Sequence, residues 1–173
     1  MSDQNVDPSA KARALLERFN IRTIPTPVEK IAKQLGAQVR FSPLDEELSG
    51  MVFIKDGVPI IGVNSLHHPN RQRFTIAHEL GHLEMHKEMI TSAVHVDKGF
   101  AGLMRNTVSS TGTEQVEIQA NQFAAELLMP MDKLQEALSN KHSEIDDESP
   151  IEEIAKKFKV SKQALEYRLL NKF

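Results

Sequence analysis

His78, Glu79 and His82 stand in the pattern H-E-x-x-H. On an α-helix, residues four apart lie one above the other, so His78 and His82 can present two imidazoles to one metal ion. Zinc accepts such nitrogen ligands at about 2.0–2.1 Å. Glu79 falls roughly 100° round the helix from His78, because a turn takes about 3.6 residues. It borders the metal without having to bind it, which is where a general base for an attacking water belongs. Phe74, Ile76, Ala77, Leu80 and Leu83 complete an amphipathic helix beside a core. Two histidines and a glutamate would be costly to bury there without a use. Gly81, about 1 kcal/mol worse than alanine in a helix, makes sense where another element must come close.

A catalytic zinc normally has three protein ligands and one open position. His86 shares the face of His82 but lies a full turn, about 5.4 Å, further on, and reads as a hydrogen-bond partner or a partly buried histidine. Glu88 falls where the long metzincin pattern has its last histidine. That pattern needs glycine at 85, and Met85 stands there, so the helix is expected to continue and point Glu88 away. His67 and His68 read as solvated loop residues, while His95 and Asp97 stay open as candidates. Glu117 is the strongest single candidate, on a separate helix about 35 residues on. Asn121, four residues later on the same stripe, could accept a hydrogen bond from a ligating imidazole. Geometry alone leaves Glu117 open against its rivals taken together.

The elements that must hold these residues can be read more coarsely. The chain of 173 residues suits one domain with a small appendage. It is 40% hydrophobic and 26% charged, with a net charge of −3, so no global pull toward nucleic acid or anionic lipid exists. It has no cysteine, which excludes disulfides and thiolate zinc sites. The polar N-terminus predicts neither signal peptide nor membrane span. A first helix is expected over 7–19 with Ala10, Ala14, Leu15 and Phe19 inward. A second opens with a capping box from Thr26 to Glu29, with Pro27 at its first position. It buries Val28, Ile31, Ala32 and Leu35, and ends at Gly36.

Strands are expected at 39–41, 50–54 and 58–63, the last two joined by an Asp56-Gly57 hairpin. The strand 50–54 reads as an exposed edge that could align an extended substrate. Residues 89–113 have little periodicity and read as a long functional or mobile loop. Residues 114–128 form a helix with Val116, Ala120, Phe123 and Leu127 inward, followed by a helix at 131–138. A linker spans 139–150. A capping box at Ser149 to Glu152 then opens two short helices across a turn at Val160-Ser161, with helix-turn-helix form. The fold class is α+β: a minimal zincin-like domain with a small three-stranded sheet packed on helices, over 1–140. Residues 141–173 supply the linker and the helix pair, packed on or beside it.

Two blocks, R-x-R-F-T-x-A-H-E-L-G-H at 71–82 and E-x-x-A-N-x-F-A-A-E-L-L-M-P at 117–130, together resemble the ImmA/IrrE family of zinc metallopeptidases. The likeness extends more loosely over 10–170, including F-x-V-S-x-x-A-L-x-x-R-L at 158–169. It implies zinc on His78, His82 and Glu117, a catalytic Glu79, and a cytoplasmic bacterial or phage protein. The implied activity is site-specific cleavage of a helix-turn-helix repressor, which relieves repression. For the oxyanion, His95, Arg105 and His142 are candidates with none favoured, and the only tyrosine, Tyr167, lies in the terminal helices.

The main rival is a DNA-binding regulator using Lys162, Gln163 and Arg168. Glu152, Glu153 and Glu166 offset that charge, so DNA binding is not expected. A third reading is a zinc protein acting on a partner repressor by binding alone, without catalysis.

Overall fold

The metal-motif helix α3 (Pro69–Met85) runs through the middle of the molecule, and every residue from 75 to 83 is buried. It is therefore surrounded, not amphipathic as the sequence pattern suggested. The computed structural model describes residues 7–92, 95–97, 111–140 and 149–171. Within these, α1 (Pro8–Arg18) and α2 (Val28–Gln34) lead into β1 (Gln38–Ser42), β2 (Gly50–Lys55) and β3 (Val58–Asn64). After α3 come α4 (Lys87–Ser92), β4 (His95–Asp97), α5 (Thr111–Leu128), α6 (Met131–Ser139), α7 (Pro150–Phe158) and α8 (Lys162–Leu170). Val52, Ile61 and Val63 of the sheet share one core with Ile76, Ala77 and Leu80 of α3 and with Phe123, Leu127 and Leu128 of α5.

The sheet order is β1-β3-β2-β4. β1 runs parallel to β3, and β2 is antiparallel to it through the expected hairpin. Asp56 and Gly57 take φ of 51° and 77°, the two left-handed residues that a tight hairpin of matching twist requires. The three expected strands form, and β4 adds a fourth. It pairs antiparallel with β2, His95 opposite Val52 and Asp97 opposite Gly50. Hence β2 is not the exposed edge that 50–54 suggested, and part of 89–113 is regular: its start closes α4, and β4 follows. Residues 93–94 and 98–110 lie outside the described residues, as does 141–148, most of the expected linker.

Several local expectations change. In α1, Ala12, Leu15 and Leu16 are buried while Ala10 and Ala14 are exposed, so the helix is rolled relative to the expected face. Thr26 does not cap α2. Its hydroxyl donates to the carbonyl of Leu127 at 2.8 Å, and Pro27 becomes the N-cap, with Val28 the first helical residue. Gly36, at φ 79°, ends that helix region as expected. Ser149 caps α7 without a side-chain bond, whereas the Ser161 hydroxyl accepts from Ala164 N–H at 3.1 Å and starts α8.

Candidate metal centre

Three side chains from two helices converge. The Nε2 atoms of His78 and His82 lie 3.0 Å apart. Glu117 on α5 brings Oε2 to 3.2 Å from His78 Nε2 and Oε1 to 3.3 Å from His82 Nε2. Both histidines are buried, and the Glu117 side chain is 27% exposed. Among the described residues these three form the group able to hold a metal, with ligand atoms within 4.8 Å of one another.

The donor set fits a tetrahedral ion. Bonds of about 2.0–2.1 Å at tetrahedral angles separate ligand atoms by about 3.3 Å, close to the spacings here. The tautomer supports the same conclusion. His78 Nδ1–H donates to Asn121 Oδ1 at 3.0 Å, which leaves Nε2 as the ring atom that faces Glu117 and could ligate a metal.

Glycine permits the approach of both helix and strand. A Cβ on Gly81 would lie 3.2 Å from the Cα and carbonyl oxygen of Ala120 and from Phe123 Cδ1. Alanine-sized bulk there would hold α5, and Glu117 with it, away from α3. Gly50 at the start of β2 does the same for the approach of the strand to Thr75 of α3. A Cβ there would collide with Thr75 Cγ2, lie 2.7 Å from the Gly62 carbonyl oxygen, and reach 3.7 Å from Glu79 Oε1. The carboxyl group of Glu79 is fully buried, one residue along α3 from His78.

The remaining candidates are placed elsewhere. α3 stops at Met85, and His86 leaves helical geometry at φ −127°, so the chain does turn near Met85 without a glycine. His86 Nε2–H donates to Gln119 Oε1 at 2.9 Å, and Ile90 packs α4 back on the core. Glu88 is exposed on α4, outside the metal group. His67 Nε2 lies 3.2 Å from the carbonyl oxygen of Glu46, and His68 Nδ1 accepts from Asn70 N–H as the N-cap of α3. Arg105, His142 and the side chains of His95 and Asp97 lie outside the described residues.

The R-x-R pair serves as anchors. Arg71 donates to the Ser49 hydroxyl at 2.9 Å, just before β2. Arg73 donates to the carbonyls of Thr26 and Lys159, joining α2 to the α7–α8 turn. Burial pushes the Arg73 pKa below its usual range, and the charge of Glu29 opposes that shift. Sequence reasoning missed Glu126 and its pairing with Arg168. Arg168 of α8 is fully buried and ion-paired with the buried Glu126 of α5, and its Nε also donates to the Met129 carbonyl at 3.4 Å. The available signal was a glutamate inside the apolar run 123–128 of a helix.

Residues 32–170 match the family model Peptidase_M78, the IrrE N-terminal-like domain. The chain belongs to this metallopeptidase family. No curated protein matches it in sequence. Its fold is similar to that of a solved Mycobacterium tuberculosis transcriptional regulator, with a TM-score of 0.64 at 18% identity. The match covers 94% of this chain and 46% of that one, so the present chain spans less than half of its length. Among the described residues no helix is long and apolar enough to cross a membrane.

Proposed function

We propose that the chain is a zinc-dependent, site-specific endopeptidase of the cytoplasm that cuts a helix-turn-helix repressor and so relieves repression. The observation that carries the reading is the convergence of His78, His82 and Glu117 beside the buried carboxyl group of Glu79. Zinc held by those three side chains would supply Lewis acidity toward water and toward the scissile carbonyl oxygen. Glu79 accepts a proton from the attacking water as the new C–O bond forms, and delivers it to the amine nitrogen as the C–N bond breaks. Asn121 keeps the Nδ1 proton on His78 and so keeps Nε2 free to ligate.

Residues 1–140 carry this chemistry in our reading, and 141–173 form the linker and helix pair beside it. The gene-control setting extends to this chain what is named for the Mycobacterium tuberculosis protein. The helix pair is not assigned to DNA. Arg168 is buried on Glu126, and Lys162 is paired with Glu152 at 2.9 Å.

The test is incubation of the zinc-loaded chain with a helix-turn-helix repressor encoded beside it. One dominant cut is expected, lost on chelation and reduced about 10²–10⁴-fold in Glu79→Gln with metal retained, the range for a general base. Casein should scarcely be touched. Cleavage that persists in Glu79→Gln, or unselective casein digestion, overturns the proposal.

A further inference from the structure

The geometry points to His86 as a positioning residue for Glu117, acting through Gln119; this rests on the reading of His78, His82 and Glu117 as metal ligands. One tight point in the contact between α3 and α5 is where the backbone of Ala120 meets Gly81. Two helices touching at one point can still roll against each other. Here the roll is stopped on both flanks. Gln119 and Asn121 are the neighbours of Ala120 in sequence and so project about 100° to either side of it on the helix. Each takes a hydrogen bond from a histidine of the motif region: Asn121 from His78 at 3.0 Å, Gln119 from His86 at 2.9 Å. The two histidines are eight residues apart, about 12 Å along the line of α3 continued through its C-cap. These three points, one steric and two polar, restrain the roll of α5 at its Glu117 end, while Glu126 with Arg168 and the Leu127 carbonyl with Thr26 hold the other end.

Glu117 is what that roll aims. It lies four residues before Asn121 and three before Ala120, on the face turned to α3. A roll of α5 about its own axis carries the Glu117 carboxylate away from the histidine Nε2 atoms, which it now meets at 3.2 and 3.3 Å. His78 is itself a ligand, so its bond to Asn121 orients an imidazole. His86 ligates nothing in the group and sits at the C-cap of α3, where the chain leaves helical geometry. Its ring lies beside that of His82, with centroids 5.4 Å apart. At that end of α3 the Gln119 oxygen fixes the direction of the His86 ring and ties the C-cap to α5.

The experiment follows zinc affinity by chelator competition and the cobalt(II) absorption spectrum, so activity is not the readout. His86→Ala and Gln119→Leu should each weaken zinc binding about tenfold, the range for partners that orient ligands, and shift the cobalt bands. Gln119→Glu, which keeps the acceptor oxygen, should restore both. The deciding variant combines His86→Ala with Glu117→Ala. Acting through Glu117, the loss of His86 should weaken zinc no further once Glu117 is gone. An equal loss with and without Glu117 would show a general structural role and overturn the inference, as would unchanged affinity and spectrum in His86→Ala. A chain that takes up neither metal, or in which Glu117→Ala binds as well as the unmodified protein, removes the metal-site reading itself. A Glu117-dependent site indifferent to His86 removes only this inference.

Discussion

Helix α5 carries two partly or fully buried glutamates nine residues apart, and they have opposite surroundings. Glu126 meets Arg168 in the interior, with Arg13 of α1 at 3.6 Å on its outer side. Glu117 meets two imidazoles and stays 27% exposed. Guanidinium groups are always charged, so the end at Glu126 is electrically complete and sealed. At the other end the carboxylate faces two imidazole Nε2 atoms in a group that could hold a metal ion. Burial of charge alone does not separate structural from functional residues. The partner type and the access of solvent do.

The largest effect should come from breaking the sealed end. Arg168→Met leaves Glu126 buried with, among the described residues, the half-exposed Arg13 as its remaining cation, and loss of one partner of a buried pair costs about 3–5 kcal/mol. Urea unfolding should show that loss. Adding Glu126→Leu should recover most of it, because a buried pair replaced jointly by apolar groups is often neutral. If the single variant is as stable as the unmodified chain, the ion pair does not hold α8 to α5.

The open end should respond in the reverse sense. Glu117→Ala should weaken zinc by more than about 100-fold, beyond the range for outer partners, while the stability of the metal-free protein barely moves. Glu88→Ala should leave zinc affinity unchanged. Comparable losses in the two variants would mean that the ligand is misassigned.

Between the two ends lies the close approach at Gly81. Alanine there gains about 1 kcal/mol of helix propensity. Its Cβ would press on the Ala120 backbone at 3.2 Å, which cannot give way without moving α5. Overpacking of about 1–3 kcal/mol should win, so Gly81→Ala should be less stable and bind zinc more weakly. A variant stabilised with full zinc affinity would show that the helices have slack at this point.

What the sequence made legible was local. The pairing of His78 with His82, of Glu117 with Asn121 on one stripe, and the Asp56-Gly57 turn each depend on spacings of one to four residues. Gly81 was readable for the same reason, as a helix residue with no local purpose. The choice of Glu117 as third ligand, by contrast, came from the family resemblance. The failures are long-range. Thr26 was expected to cap its own helix, but the Leu127 carbonyl, 101 residues away, takes its hydroxyl. The outer edge of β2 was read as open because nothing local in three residues of β4 announces their pairing. The roll of α1 was misread because alanines on both of its faces leave little contrast between inside and outside. Arg168 looked like a cation for DNA because its partner lies 42 residues back on another helix.

The smallest effect expected is at the exposed counterpart of the buried ion pair. Lys162 and Glu152 join α8 to α7 at 2.9 Å, with side chains 50% and 44% exposed. The hydrogen bond from Lys162, then its charge, lowers the Glu152 carboxyl below its usual 4.5. The hydrogen bond to Glu152, then its charge, raises Lys162 above its usual 10.5. A carboxyl group lowered in the folded chain stabilises it above the usual carboxyl value, and that support fades as pH falls through the lowered one. A raised lysine stabilises below its usual value, with support lost as pH rises through the raised one. The pair therefore acts across the whole neutral range and fails only at the two extremes. Water and salt screen it throughout, since the Debye length is about 10 Å at 0.1 M. Lys162→Ala should accordingly shift the melting temperature far less than Arg168→Met, and any shift should vanish in high salt. Neither variant should alter duplex DNA binding, because one cation is committed to Glu152 and the other is interior. A salt-dependent nanomolar DNA affinity lost in Lys162→Ala would overturn this assignment and make the helix pair a reader of nucleic acid.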